Sequence, residues 1–319
     1  MTVIDKDTQK SFIRRNGVSL IAFFAILAYI AFVQWIWGWA SVLVEWRHVG
    51  LGTVALALTL LVSTALVRAW RIYDYFPAET RGRYIALFHL AQVHNLLNIM
   101  LPFRSGETSF PLLMRSEFAV PLLRATSALL VMRLLDLHAL LSAAGLGMVL
   151  QRADTAFALL LWLAFLLLPV LAYLLKGRML AFLRPRLSGK ALKLIEEVEA
   201  GLPARLGDFL SAWAMTVVNW ATKVVVFAWV LSLMGVYPLM AAFGGASGGE
   251  LSSVLPFHAP AGVGTYPAGI VAGAVAFGAS AGGELARAAV NLHIIVIISA
   301  LTSTVLSLVL SHIRPSRRR

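Results

Sequence analysis

Leu101-Pro102-Phe103-Arg104-Ser105-Gly106-Glu107 interrupts one apolar stretch of this chain, and Leu255-Pro256-Phe257-His258-Ala259-Pro260-Ala261-Gly262-Val263-Gly264-Thr265-Tyr266-Pro267 interrupts another. Leu-Pro-Phe opens both breaks. Gly106-Glu107-Thr108-Ser109-Phe110-Pro111 resembles Gly262-Val263-Gly264-Thr265-Tyr266-Pro267, with the second break two residues longer. An apolar segment precedes each break, over 84–100 and 238–254, and at about 17 residues each is marginal for crossing a bilayer. Proline removes a main-chain N–H and clashes with the preceding turn, so a helix ends or kinks there. The freed polar groups cannot face lipid and must be buried in protein or line a polar cavity. Pro102 and Pro256 therefore either kink ordinary spanning helices or mark the tips of re-entrant hairpins. The matched flanks favour the hairpins.

The surroundings are those of a helical membrane protein. Of 319 residues, 60% are hydrophobic and 13% charged, where a soluble domain carries about 25% charged residues. Several apolar runs reach the length of about 20 residues that spans a hydrocarbon core, and none shows the period-two alternation of an outer-membrane barrel. The net charge of +12 sits in short loops, where it sets orientation and meets anionic lipid heads, so nucleic acid is not an expected partner. The absence of cysteine excludes disulfides, thiolate metal sites and cysteine nucleophiles.

The chain reads as one integral membrane domain over 1–319. A first helix runs from about Gly17 to Trp39, too long for a signal-peptide core and expected to be retained. Trp35, Trp37, Trp39 and Trp46 at its far end suit an aromatic belt. A second helix covers about Gly50–Trp70, and the basic, aromatic stretch Arg68–Arg83 reads as an interfacial connector. After the first break and a short segment to Arg115 come long helices over about Pro121–Leu150 and Thr155–Leu175. Residues 176–205 read as an amphipathic cytoplasmic connector. The second half repeats the pattern: a helix over about Leu206–Gly235, the second broken segment with a short helix over Ala268–Ala279, and a last helix over about Leu285–Ile313. Repeat one is about 50–150 and repeat two about 206–313.

Charge orients the chain. With a cytoplasmic N-terminus and both breaks re-entrant, all but six of the 27 Lys and Arg residues lie at cytoplasmic edges. Arg47, Arg152 and Arg287 lie outside, and Arg104, Arg133 and Lys223 lie within the membrane. That asymmetry follows the positive-inside rule. It predicts about six crossings with both termini cytoplasmic and two hairpins entering from opposite faces, an inverted-topology repeat of the kind that builds a substrate site between broken helices.

The intramembrane charges are the candidate site. Arg133 and Asp136, three apart, share a helix face. A charge near the bilayer centre costs about 2.5–3.5 kcal/mol on insertion scales, so they should face inward and be paired. An Arg104–Glu107–Arg133–Asp136 network is the natural grouping, serving either as a structural ion-pair cluster or as a ligand contact. Lys223, with Asn219 four residues before it, either pairs with a distant carboxylate or awaits an anionic ligand. His94, Asn95 and Asn98 fit interhelical hydrogen bonding. His258 stands where Arg104 stands in the first break. Gly106, Gly262 and Gly264 supply the tight backbone, and N–H groups exposed around Ala261–Thr265 are able to hold an anion. Gly269 and Gly273 have the spacing of close helix packing. No metal site, nucleophile elbow or ATPase phosphate loop is legible, and no cofactor is expected.

These residues resemble the lysylphosphatidylglycerol synthase transmembrane region, or flippase-like domain family. The likeness rests on Asn98-x-x-Leu101-Pro102-x-Arg104-x-Gly106-Glu107, on Arg133-x-x-Asp136, and on Leu255-Pro256 followed by Pro260-Ala261-Gly262-Val263-Gly264-Thr265-Tyr266. It covers nearly the whole chain. Two departures stand out: Pro267 occupies a position usually Glu in the family, and no soluble aminoacyl-transfer domain follows before Arg319.

The resemblance implies handling of a membrane lipid and argues against lipid aminoacylation. The leading expectation is a non-enzymatic transporter moving a polar, anionic lipid (a phospholipid, a polyprenyl-phosphate lipid or a hopanoid-type lipid) between leaflets. Arg104, Glu107, Arg133, Asp136, Lys223 and His258 would meet the head group, and Pro102, Gly106, Pro256, Gly262 and Gly264 would shape the breaks. The alternatives are a membrane-embedded lipid-modifying transferase with Glu107 as base, or a non-transporting partner of lipid-biosynthesis enzymes. The expected location is a bacterial-type inner (cytoplasmic) membrane.

Overall fold

A computed structural model describes residues 27–150, 155–254 and 259–313. Pro256 and His258, the start of the first helix, and the basic C-terminus lie outside the described residues. Among those described the chain is helical throughout and contains no strand.

The described part of the first helix is α1 (Leu27–Ile36). Short helices α2 (Trp39–Leu43) and α3 (Trp46–Val49) lead into α4 (Leu51–Tyr75) and then α5 (Pro77–Thr80). The first broken segment is α6 (Tyr84–Met100), a 3-10 turn over Pro102–Thr108, and α7 (Ser109–Phe118). The long helices α8 (Leu122–Val149) and α9 (Thr155–Leu183) follow, then the surface helix α10 (Gly189–Gly201) and α11 (Leu206–Leu233). The second broken segment is α12 (Leu239–Val254), a turn over Pro260–Gly262, and α13 (Thr265–Ala276), before the final α14 (Gly283–Ile313). Five of these helices, α4, α8, α9, α11 and α14, are long and apolar enough to cross a membrane. The chain is a multi-pass membrane protein.

Each broken segment folds back on itself. In the first, Arg83 donates to the carbonyl of Glu117 at 2.8 Å, His94 pairs with Ser109 at 2.9 Å, and Asn98 lies against Gly106. Partner numbers fall as the others rise, so α6 and α7 run antiparallel from an open end at Arg83 to a tip at Gly106. Glycine is needed at that tip, because a Cβ on residue 106 would lie 2.5 Å from the Asn98 backbone. In the second segment α12 and α13 touch backbone to backbone. A Cβ on Gly273 would meet the Gly244 carbonyl at 2.1 Å, and one on Gly269 the Gly248 carbonyl at 2.7 Å. Lipid tails are as apolar as the side chains they would replace, so such close packing, not burial from water, holds helices together in a bilayer.

Two apolar cores surround the hairpins. Phe88, Phe110, Met114 and Phe118 of the first hairpin pack with Ile72 of α4 and Met132 of α8. Ala246 and Ile270 of the second pack with Phe227 and Leu231 of α11 and Leu292 of α14. α4 and α11 join the halves and run antiparallel: Asp74 accepts from Ser211 at 2.7 Å, and Arg71 donates to Thr216 at 3.2 Å.

The connector expected over Arg68–Arg83 is corrected. α4 continues through Arg68 and Arg71 to Tyr75, and Arg71 is buried because Asp136 supplies its counter-charge. α9 likewise runs past Leu175 to Leu183, so only the second half of 176–205 forms the separate amphipathic helix.

Candidate functional site

The breaks bring unusual backbone to the middle of the molecule. Phe103 and Arg104 hold φ of 54° and 52°, and Ala261 holds 55°, a left-handed conformation that costs a non-glycine residue about 1–3 kcal/mol. Gly262 and Gly264, at 71° and 75°, adopt it freely. The strained turns face one another across a polar cavity of about 80 Å³, room for several ordered waters or a head-group-sized moiety.

Arg104, Glu107, Arg133 and Asp136 are brought together here. Arg104 Nε donates to Glu107 Oε1 at 3.1 Å, and Nη2 reaches the same oxygen. Arg133 bridges the acids, with Nη2 3.1 Å from Glu107 Oε2 and Nη1 2.8 Å from Asp136 Oδ2. Asn98 adds a bond to Glu107 at 3.1 Å. Asp136 is almost wholly buried, and its remaining acceptor sites take Arg71 and the indole N–H of Trp220 at 2.8 Å. A buried carboxylate persists only when paired and hydrogen-bonded in this way.

Lys223 stands on the other wall. Its ammonium lies 2.9 Å from Glu250 of α12 and 4.7 Å from the Trp220 ring centroid. Tyr266, in the first turn of α13, donates its hydroxyl to Glu250 Oε1 at 3.0 Å. Pro267 follows at the third helical position, where a missing N–H breaks no helical bond. Lys223 thus has a distant carboxylate as a partner.

Arg104 also crosses between hairpins: its Nη1 donates to the Ser253 carbonyl at 2.5 Å. That carbonyl is in the last turn of α12, where main-chain acceptors run out of helical donors and a cation is favoured.

Three charged residues absent from the expected set complete the site. Arg71 and Glu250 pair as described. Arg68 lines the cavity and bonds to the neutral Asn95 side chain; among the described residues it has no carboxylate partner. The signal for Glu250 was a lone acid in a Gly- and Ala-rich segment, itself a functional flag within a membrane. Five cations (Arg68, Arg71, Arg104, Arg133 and Lys223) thus face three carboxylates (Glu107, Asp136 and Glu250) among the described residues. Counted over the described residues, the site is two positive charges in excess.

The family model for the lysylphosphatidylglycerol synthase TM region matches residues 19–307. Neither a curated relative nor a solved structure matches the chain.

Proposed function

The chain belongs to the lysylphosphatidylglycerol synthase TM region family, whose function is tied to membrane lipids, and from that premise we propose that it moves an anionic lipid between leaflets. The carrying observation is the positive excess at the cavity. Uncompensated charge inside a membrane is expensive, and Arg68, held among the described residues by the Asn95 amide and no carboxylate, leaves a place for an anion. Phosphate of a phospholipid or of a polyprenyl lipid meets that demand, with Arg68, Arg104 and Lys223 around the head group and the tails left in the bilayer. An uncharged hopanoid-type lipid suits it less well.

The arrangement of the hairpins supports alternating access. α4 and α11 run antiparallel, hairpin one begins beyond the end of α4, and hairpin two beyond the end of α11. Hairpins that start from opposite ends of the bundle and touch through Arg104 and Ser253 support the reading of re-entrant elements in an inverted repeat. The charge asymmetry, even with Arg68 and Arg71 moved inward, supports a reading in which the first hairpin's open end and both termini are cytoplasmic, in an inner membrane. Rocking one hairpin against the other would expose the cavity to each side in turn.

Glu107, the base of the transferase alternative, has both oxygens engaged by Arg104, Arg133 and Asn98, which favours an electrostatic role. The test is reconstitution of the pure protein in liposomes carrying head-labelled lipids. Protein-dependent exchange of phosphatidylglycerol or polyprenyl phosphate supports transport. Product formation from a lipid donor without exchange supports the transferase. Neither activity, with lipid-synthesis enzymes retained on the protein, supports the partner role.

A further inference from the structure

The central cavity sets a charge for its occupant as well as a sign. Its five cations exceed its three carboxylates by two, counted over the described residues. A phosphodiester head group such as phosphoglycerol brings a single negative charge and would leave one cation uncompensated, which is costly within a membrane. A phosphomonoester brings nearly two above pH 7, because its second proton leaves with a pKa of about 6.

The hydrogen-bonding groups on the lining point the same way. Donors are in surplus: Arg68 carries a fork of N–H groups and bonds, among the described residues, through one nitrogen to Asn95. Most acceptors are already engaged. Asn95 Oδ1 takes Arg68, and the Ser253 carbonyl takes Arg104 at 2.5 Å. The Ala261 carbonyl takes His293 Nε2 at 2.8 Å, and Glu250 takes Lys223 at 2.9 Å and the Tyr266 hydroxyl at 3.0 Å. Of the side-chain amide and carboxylate oxygens on this lining, Asn98 Oδ1 is the one without a partner among the described residues. A doubly ionised phosphate only accepts, and so suits a wall of donors. The hydroxyls of a phosphoglycerol head would compete for that one oxygen, and a buried donor without an acceptor is costly.

We infer that the central cavity selects a phosphomonoester lipid, phosphatidate or a polyprenyl monophosphate, over a phosphodiester lipid, with the surplus at Arg68 reading the second negative charge. The inference rests on the proposed use of this cavity as a head-group site. Around the phosphate stand Arg68 of α4, Arg104 of the first break, Arg133 of α8 and Lys223 of α11. Glu250 of α12, Tyr266 of α13 and His293 of α14 complete the ring, and His94 lies behind Arg133. Histidines ordinarily titrate between pH 5 and 8. They act on monoester and diester alike, so the ratio of the two affinities isolates the proton on the ligand.

Affinity is read from thermal stabilisation of the full chain in neutral detergent, with phosphatidate, polyprenyl monophosphate, phosphatidylglycerol and inorganic phosphate as probes. At pH 8 a monoester lipid should bind about tenfold more tightly than phosphatidylglycerol, the scale of one charged hydrogen bond; the tighter of the two monoesters is the source of the phosphate. At pH 5 the monoester keeps one charge and the preference should largely vanish. Asn95→Asp and Arg68→Gln each lower the surplus by one and should shrink the preference at pH 8. Equal affinity for monoesters and phosphatidylglycerol at pH 8 would overturn the inference, as would a preference that survives at pH 5. A preference unchanged in both variants would place it on the basic surface and overturn it too, and inorganic phosphate binding as tightly as the lipids would overturn the assignment to a lipid. Leaflet exchange of the same lipids in liposomes reads transport separately: monoester preference without exchange would remove transport and keep the inference, and exchange without preference would do the reverse.

Discussion

Arg104, at the tip of the first hairpin, donates from Nη1 to the Ser253 carbonyl at the end of α12 in the second, at 2.5 Å. The same guanidinium holds Glu107 of its own turn. One side chain therefore fixes the local fold of one break and joins it to the other hairpin. It does so from a left-handed backbone conformation, which persists only where surrounding contacts over-determine it.

Lysine has a compact ammonium in place of the planar fork and cannot reproduce both contacts. Arg104→Lys should lower stability by about 1.5–3 kcal/mol, the worth of a charged hydrogen bond, measured by thermal unfolding in detergent. It should also slow leaflet exchange. A variant with wild-type stability and exchange would remove the hairpin tie from the account.

Asp136 pairs with both Arg71 and Arg133. Asp136→Asn keeps the shape and removes the charge, leaving the buried Arg71 without its carboxylate while Arg133 keeps Glu107. The expected destabilisation is about 3–5 kcal/mol. Arg71→Met in the Asp136→Asn background should recover part of that loss. An additive double mutant would show that the two residues do not act as a pair.

Lys223 and Glu250 test whether pairing and transport separate. Each single neutralisation, Lys223→Met or Glu250→Gln, should destabilise, because it strands a buried charge. The double variant should return most of the stability. Its exchange rate should remain low, because the proposed function puts Lys223 at the head group. Recovery of exchange together with stability would make the pair purely structural.

Opposite entry of the hairpins is open to a direct chemical test, since the chain contains no cysteine. Ser116 at the open end of the first hairpin and Ala281 just beyond the second are both exposed. Single cysteines there should react with an impermeant maleimide from opposite sides of sealed vesicles. Reaction of both from the same side would contradict the inverted arrangement.

Much of this architecture was legible in the sequence, because its causes are local. Pro102 ends a helix by removing an N–H, and α6 occupies the expected 84–100. Arg133 and Asp136 share a face by spacing alone. What escaped notice depends on tertiary partners. Arg68 and Arg71 read as interfacial residues because a basic residue near the end of an apolar run most simply meets lipid heads. Asp136 and Thr216, 65 and 145 residues away from Arg71, and Asn95 beside Arg68 draw them inward. Glu250 was hidden by its Gly- and Ala-rich segment, and its role appears once α11 brings Lys223 beside it. α9 outran its expected end because Lys176 and its neighbours remain helical after the apolar run stops.

The central claim is that surplus positive charge at the cavity, focused on Arg68, recruits an anionic lipid head. Asn95→Asp tests it most directly, since it supplies the carboxylate that Arg68 lacks among the described residues without removing a contact. Exchange of phosphatidylglycerol in liposomes should fall about tenfold or more, equivalent to about 1.4 kcal/mol, while thermal stability is unchanged or raised. Undiminished exchange in a variant whose Arg68 is paired would contradict the claim.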